Sequence, residues 1–235
     1  MNFKPLFFSL AALIVLAACQ SNGQLKSVKL TNENDSASYA LGVLIGQNNK
    51  QNLDASPGAD ELNLDILINA FAKQLKEEEG VQISPEDART IIQKFFEQVS
   101  VKEANKNAEA GEAFLNENKA KEGVTTTESG LQYEVLVAGE GAKPEDGQTV
   151  KCHYQGTLID GTVFDSSYER GEPATFNVNQ VIPGWTEALK LMPAGSKWKL
   201  YIPSELAYGE RGAGRDIGPN TTLIFEVELL EIVEE

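Results

Sequence analysis

Residues 150–178 read VKCHYQGTLIDGTVFDSSYERGEPATFNV, and residues 179–212 continue with NQVIPGWTEALKLMPAGSKWKLYIPSELAYGERG. This stretch decides the fold, because its β-branched and aromatic residues favour strands. The pair Asp160-Gly161 predicts a tight hairpin turn. The letters IPGW at 182–185 predict the start of one helix that continues through Leu191. Strands are predicted at residues 131–137, 149–159, 162–165, 174–178, 197–202 and 221–233.

Aromatic and apolar residues recur in this half of the chain, together with one aspartate, at Tyr154, Phe164-Asp165, Val181-Ile182, Trp185, Tyr208 and Phe225. In type and spacing they resemble the pocket residues of the FKBP-type peptidyl-prolyl cis-trans isomerases. The resemblance extends from about Gly130 to the C-terminus. It implies an α+β protein whose isomerase domain, residues 124–235, is a bent antiparallel β-sheet wrapped around one short helix.

The resemblance also implies roles for individual residues. Trp185 corresponds to the floor of the family's pocket, beneath the proline ring of the substrate. The backbone N–H of Ile182 and the hydroxyl of Tyr208 are the expected donors to substrate carbonyls. Asp165 is expected to polarise or orient the twisted amide, directly or through Tyr154. The implied catalytic residues are therefore Asp165, Tyr208, Ile182 and Tyr154, and the implied substrate-binding residues are Phe164, Phe176, Val181, Trp185, Ile217 and Phe225.

The reaction that the resemblance implies needs neither a metal nor a cofactor. Rotation about an X–Pro bond faces a barrier of about 18–20 kcal/mol, because resonance holds the amide planar. An enzyme only has to favour the twisted amide over the planar one. A dry aromatic pocket does this, since the planar amide is the more polar and better hydrated form. Proline-containing unfolded polypeptides are the expected substrates, and tacrolimus and rapamycin the expected inhibitors.

Departures from the family's pattern and plainer interpretations both bear on this site. Ala174 stands where the family's human member has an aromatic residue, and Ala213 lies near the place of a histidine. A more open rim is therefore expected. Taken singly, aromatic residues on strands are more often ordinary core, and an alternative role for Asp165 is to bind Arg170. His153 is predicted to be structural, because a single histidine without a cysteine–carboxylate cluster does not build a metal site.

The first eighteen residues are predicted to be a bacterial lipoprotein signal peptide. The apolar stretch 6–16 follows Lys4 and is shorter than the roughly 20 residues of a membrane span, as is typical of a secretory signal. The letters LAAC at 16–19 resemble the bacterial lipobox, which implies that Cys19 is acylated, with palmitate among the chains. The alternative is an ordinary signal peptide. Because Gln20 follows, we expect a lipid anchor in the outer membrane that faces the periplasm.

Charge and cysteine content exclude some partners. The net charge is −15 at pH 7, which argues against nucleic acid or an anionic bilayer as the binding partner. The chain has two cysteines, Cys19 and Cys152. If Cys19 is acylated, Cys152 has no cysteine left to pair with, and no intramolecular disulfide can form.

Residues 35–84 are predicted to be a helical dimerisation region, preceded by a flexible tether at residues 19–34. Ser36 or Ser38 is predicted to cap the first helix, and apolar residues spaced as in an amphipathic helix follow from residue 64 to residue 75. Three short helices make a thin core, so sharing apolar faces with a second copy is physically attractive. The GxxxG at 42–46 favours close helix packing. This region resembles the N-terminal dimerisation domain of macrophage infectivity potentiator-like and FkpA-like bacterial lipoproteins, which implies a homodimer.

A long linking helix is predicted at residues 85–123. Ser84 has the character of an N-cap and Pro85 that of a first-turn residue. The second half of the helix is mostly Ala, Asn, Lys and Glu, and a helix that is polar nearly all round is typical of a solvent-bridging element. We therefore expect a stalk between two domains.

The leading functional hypothesis is an exported isomerase that accelerates X–Pro isomerisation during the folding of envelope proteins. The alternative is a dimeric chaperone or adhesion module in which isomerase activity is secondary. A third possibility, a fold retained without activity, is disfavoured by the complete set of pocket residues.

Overall fold

The computed structural model describes residues 27–77 and 79–233. The predicted signal peptide, Cys19 and the first part of the tether lie outside the described residues. The described residues divide into two compact units, one within Met1–Asn52 and Leu62–Val81 and the other within Leu53–Glu61 and Gln82–Glu235. None of the helices within the described ranges combines the length and the apolar character that a membrane span requires. The domain boundaries given above stay predictions.

The first unit is helical and consists mainly of α1 (Glu33–Asp54) and α2 (Leu64–Leu75). Helix α1 begins before the two predicted caps, because Asn32 Oδ1 accepts a hydrogen bond from the N–H of Asp35 at 2.9 Å. The hydroxyls of Ser36 and Ser38 instead donate to backbone carbonyls one turn back. Among their described residues, neither α1 nor α2 buries a side chain.

Helix α3 (Pro85–Asn118) belongs to the second unit. Its start is as predicted, since Ser84 Oγ accepts from the N–H of Asp87 at 3.1 Å. Its C-terminal half packs on the sheet. A Cβ at Gly111 would lie 2.3 Å from Thr222 Oγ1, and the buried Asn118 donates to Gln132 Oε1 at 3.0 Å. This differs from the prediction of a stalk that crosses solvent, and the helix ends before the predicted residue 123.

Within the described residues, seven antiparallel strands form one sheet: β1 (Val124–Thr126), β2 (Gln132–Val137), β3 (Thr149–Leu158), β4 (Val163–Ser166), β5 (Ala174–Asn177), β6 (Lys197–Ile202) and β7 (Leu223–Val233). Their order in the sheet is β1-β2-β6-β7-β3-β4, with β5 paired to β3. Strands β3 and β7 pair over their whole length. Strand β1 was not predicted.

Helix α5 (Pro183–Leu191) lies against one face of this sheet and buries Trp185, Ala188 and Leu189. A one-turn helix, α4 (Ser167–Arg170), was not predicted. Alternate residues of β3 and β7 are buried, as expected for strands with one face on a core. The predicted α+β fold is confirmed. Cys152 lies in this core as a free thiol, and burial raises its pKa to about 12.

Candidate active site

A pocket of about 390 Å³ opens beside the N-terminus of α5. Strands β3, β4, β5 and β7 supply its walls, because the side chains on one face of a strand alternate with those on the other. The loop before α5 and the turn at Tyr208 complete its rim. The lining residues are Tyr154, Phe164, Asp165, Phe176, Gln180, Val181, Ile182, Trp185, Tyr208 and Phe225.

Trp185 is the centre of the aromatic surface. Its ring makes edge-to-face contacts with Tyr154, Phe176 and Phe225, each with ring centroids 5.3 Å apart. Phe164 meets Phe225 in the same way at 5.5 Å. Because edge-to-face pairs fix ring orientation, the floor and walls form a preorganised apolar surface. Trp185 itself is only 4% exposed.

Gly156 makes this aromatic packing possible. It lies on β3, opposite Phe225 of β7 and Asp165 of β4. A Cβ at this position would lie 2.5 Å from the ring of Phe164 and 2.8 Å from that of Phe225. Any side chain here would therefore displace a wall of the pocket. Glycine in a strand interior marks such close approaches, so the sequence did carry a signal for this residue.

Tyr154, Asp165 and Arg170 form a closed polar group at the edge of the pocket. The Tyr154 hydroxyl donates to Asp165 Oδ2 at 2.5 Å and accepts from Arg170 Nη2 at 2.7 Å. Arg170 Nη1 also donates to Asp165 Oδ1. Asp165 thus binds both Tyr154 and Arg170, so the contact with Arg170 that the sequence left as an alternative is present together with the contact to Tyr154.

The electrostatics of this group keep Asp165 anionic. Burial by itself would raise the pKa of the Asp165 carboxyl, but hydrogen bonds from Tyr154 and Arg170 outweigh it and hold that pKa below its usual range. Burial, and next the hydrogen bond to Asp165, raise the pKa of the Tyr154 phenol. At neutral pH the pocket edge therefore carries a fixed carboxylate beside a neutral tyrosine.

Two hydrogen-bond donors at the rim are unengaged. The N–H of Ile182 has no acceptor among the described residues, and Ile182 precedes the first turn of α5. The hydroxyl of Tyr208 likewise has no partner within the part of the chain that the structure describes, and the residue is 41% exposed. Both groups are therefore free to donate to a bound molecule.

Among the described residues, Ile217 is the one predicted pocket residue that does not line the cavity. It is buried in the core, where it forms an isolated β-bridge with Ala213. His153 stacks on Tyr168 at 4.6 Å, and its Nδ1 lies 3.0 Å from Ser167 Oγ. Within residues 27–77 and 79–233, no group of three or more His, Cys, Asp or Glu side chains is arranged to hold a metal ion.

Gln180 is a lining residue that the sequence reasoning missed. It stands directly before Val181 on the loop that leads into α5. Its polar type gave no indication of a pocket position, because exposed loops are generally polar. Its position beside Val181, a predicted pocket residue, is the one local sign of its place in the lining.

Two family descriptions match this chain. The family described as "FKBP-type peptidyl-prolyl cis-trans isomerase" matches residues 140–230. The family described as "Domain amino terminal to FKBP-type peptidyl-prolyl isomerase" matches residues 34–135. Together they include most of the chain and every lining residue of the pocket.

Relatives of this chain carry related names. "Outer membrane protein MIP" of Legionella longbeachae is 44% identical over 94% of this chain and 95% of its own length. The "FKBP-type 22 kDa peptidyl-prolyl cis-trans isomerase" of Escherichia coli is 49% identical over 84% of this chain and 94% of its own length. The crystal structure of FkpA from Escherichia coli matches with a TM-score of 0.67 and 37% identity, over 87% of this chain and 98% of that one.

Proposed function

This chain belongs to the FKBP-type peptidyl-prolyl cis-trans isomerases, and we propose that the aromatic pocket around Trp185 is where it rotates X–Pro bonds. Membership makes the chain an isomerase that acts on proline-containing polypeptides. The observation that carries the assignment of the site is the pairing of an apolar floor with two unengaged donors. The floor is Trp185, and the donors are the N–H of Ile182 and the hydroxyl of Tyr208.

The pocket favours the twisted amide in two ways. Its aromatic walls exclude water, and the planar amide loses more by leaving water because resonance makes it the more polar form. The donors at Ile182 and Tyr208 then hold the carbonyls on either side of the proline, which fixes the chain while the bond between them rotates. Neither step forms or breaks a covalent bond.

Asp165 adds an electrostatic contribution. Twisting decouples the nitrogen lone pair from the carbonyl, so the carbonyl oxygen carries less negative charge than in the planar amide. A carboxylate on the pocket wall therefore repels the planar form more than the twisted one. Tyr154 and Arg170 keep Asp165 anionic and prevent it from turning towards solvent.

Kinetics on a proline-containing tetrapeptide test this assignment. Tyr208→Phe removes one donor, and Asp165→Asn removes the charge while keeping the shape. Each should lower kcat/KM by about tenfold, equivalent to roughly 1.4 kcal/mol in the transition state. Tyr168→Phe is the matched control, because Tyr168 is similarly exposed at 43% but binds Glu228 outside the pocket. Full activity in both pocket variants would refute the assigned roles.

Inhibition by macrolides is a second test. Tacrolimus or rapamycin should compete with the peptide, since each contains a ring whose nitrogen belongs to an amide, as in proline, and this ring can lie over Trp185. Phe176→Ala should weaken this competition, because it removes one wall of the pocket. Inhibition that does not depend on the peptide concentration would place the macrolide elsewhere.

We also propose that the protein is a lipid-anchored homodimer of the bacterial outer membrane that faces the periplasm and acts on exported proteins. A relative named as an outer membrane protein supports the envelope location, and the LAAC sequence supports acylation of Cys19. Cys19→Ser should abolish the incorporation of a labelled fatty acid and should either release the protein from membranes or leave it uncleaved; unchanged fatty-acid labelling of the variant would refute the anchor. The alternative of a chaperone with secondary isomerase activity has less support, because two relatives over most of the chain are named as isomerases.

A further inference from the structure

The C-terminal half of α3 lies against the segment that follows Tyr208. A Cβ at Gly218 would lie 2.7 Å from Glu103 Oε1 and 3.1 Å from Asn107 Nδ2, so the helix side chains touch the backbone of that segment. Gly111 makes the matching approach from the helix side, where a Cβ would lie 2.3 Å from Thr222 Oγ1. Glycines on both surfaces thus allow a close fit between α3 and residues 218–222.

Asn107 is the residue of α3 that binds this segment directly. Its Nδ2 donates to the carbonyl of Pro219 at 2.9 Å and lies 3.3 Å from Thr221 Oγ1. The hydroxyl of Thr221 in turn donates to the carbonyl of Gly218 at 2.8 Å. One half-buried amide on the helix therefore holds residues 218–221 of the segment in place, through Pro219 directly and through Thr221.

The next link joins this segment to Tyr208. The N–H of Asn220 donates to the carbonyl of Gly209 at 2.8 Å, and Gly209 follows Tyr208 in the chain. Asn220 holds a left-handed conformation with φ of 55°, which asparagine tolerates better than most residues but which needs support from its surroundings. Asn107 supplies that support at the residue immediately before it.

We infer that Asn107 is a positioning residue for the isomerase reaction, acting through Pro219, Asn220 and Gly209 to fix the Tyr208 hydroxyl at the pocket rim. Helix α3 is then a part of the active-site framework, since it stabilises the turn that carries one of the two donors. The inference rests on the proposed function, because it requires that Tyr208 donates to the substrate.

The first measurement is structural and does not depend on activity. In the full-length protein, Asn107→Asp keeps the size of the side chain but removes the donor and faces a carboxylate towards the Pro219 carbonyl. Amide hydrogen exchange, measured by NMR, should show faster exchange at the N–H of Asn220. Asn105→Ala is the control, because Asn105 is exposed on the same helix and its side chain makes no hydrogen bond with any other described residue. Equal protection of Asn220 in both variants would overturn the inference.

The second measurement is a double-mutant cycle in kcat/KM. Asn107→Ala and Asn107→Asp should each lower kcat/KM by about threefold to tenfold, the range that one lost hydrogen bond produces, while Asn105→Ala leaves it unchanged. In a Tyr208→Phe background, Asn107→Ala should have little further effect, because the hydroxyl that it positions is gone. A purely structural role would instead lower activity by the same factor in both backgrounds.

The cycle separates failure of this inference from failure of the proposed function. If Tyr208→Phe lowers kcat/KM while Asn107→Ala does not, or if the two effects simply add, the role of Asn107 is refuted and that of Tyr208 stands. If Tyr208→Phe leaves kcat/KM unchanged, the role proposed for Tyr208 fails and the inference falls with it.

Discussion

Within the described residues, helices α1 and α2 and the C-terminal sheet all carry many apolar residues, but the sheet buries them whereas α1 and α2 do not. On α1, Leu41 and Leu44 are 59% and 64% exposed, whereas Leu200 of β6 and Leu223 of β7 are completely buried. The sheet therefore has a core of its own within one chain. The described residues of α1 and α2 instead present exposed apolar side chains to solvent, and such surfaces commonly mark sites where another protein chain binds.

The second half of α3 shows the converse behaviour. Its sequence is polar, yet Gly111 and Asn118 are buried and Asn107 is half-buried against residues of the C-terminal sheet and its loops. The contrast teaches that the apolar residues of a segment indicate how much free energy it would gain by burial. Whether the segment is buried depends on whether another part of the structure offers a surface that fits it. Small residues and amides achieve close packing without large apolar side chains when the opposing backbone offers acceptors.

The largest expected effect is loss of the proposed dimer. Leu41→Asp combined with Leu44→Asp should convert the dimer to a monomer. Each leucine buried on association contributes about 1.5–3 kcal/mol to the free energy of binding, and each substitution occurs on both sides of a two-fold interface. Light scattering reports the mass. Leu136→Asp is the control, since this leucine is 41% exposed on β2 of the other unit and should not affect assembly. A dimer that survives the double substitution would refute the proposed use of the α1 surface.

The next effect concerns two buried tryptophans of the C-terminal unit. Trp185→Ala and Trp198→Ala should each reduce the free energy of unfolding by about 3–5 kcal/mol, because the two side chains are 4% and 5% exposed. Denaturant titration measures this loss. Only Trp185→Ala should also abolish isomerase activity per folded molecule, since Trp198 stacks on Tyr133 away from the pocket. Equal loss of specific activity in both variants would contradict the assigned pocket floor.

A smaller effect tests the packing of α3. Gly→Ala in an exposed helix normally stabilises by about 1 kcal/mol, but Gly111→Ala should destabilise by about 1–3 kcal/mol, because the new methyl group overlaps Thr222 Oγ1. Thermal unfolding reports the change. Adding Thr222→Ala should recover part of the loss by removing that oxygen. Stabilisation by Gly111→Ala alone would mean that α3 does not pack on the sheet in solution.

The smallest effect is the pH dependence of activity. The Tyr154 and Arg170 hydrogen bonds overcome the effect of burial, so the folded-state pKa of Asp165 lies below its ordinary value of 3.8. Stability from this carboxylate is therefore fully present above the ordinary pKa and is lost only as pH falls through the lower, folded-state pKa. We expect kcat/KM to stay constant from about pH 8 to pH 5 in wild type, with circular dichroism as a check on folding. A decline of kcat/KM centred near pH 6 would mean that a titratable group other than Asp165 controls the reaction.

Much of the pocket could be predicted because strands and turns carry local signals. The alternation along β3 places Tyr154 on the buried face, and Pro183 starts α5 so that Trp185 follows on its first turn. The structure gathers the predicted pocket residues other than Ile217 around one cavity; the roles of all of them, Ile217 included, stay predictions. The position of Ile217 could not be read from the sequence, because an apolar residue in a loop is compatible with either a pocket wall or the core beneath it.

By itself, the sequence determined the α+β architecture, the helix start at Ser84, and the set of residues from which a pocket could be built. These features depend on near neighbours in the chain, through turn chemistry, capping and the periodicity of side chains. Only the tertiary structure decided that Arg170 binds Tyr154 as well as Asp165, that Gly156 leaves room for two aromatic rings, and that Asn107 binds Pro219 from more than one hundred residues away. Such contacts follow from the way distant backbones approach each other, and no local pattern of residues encodes that distance.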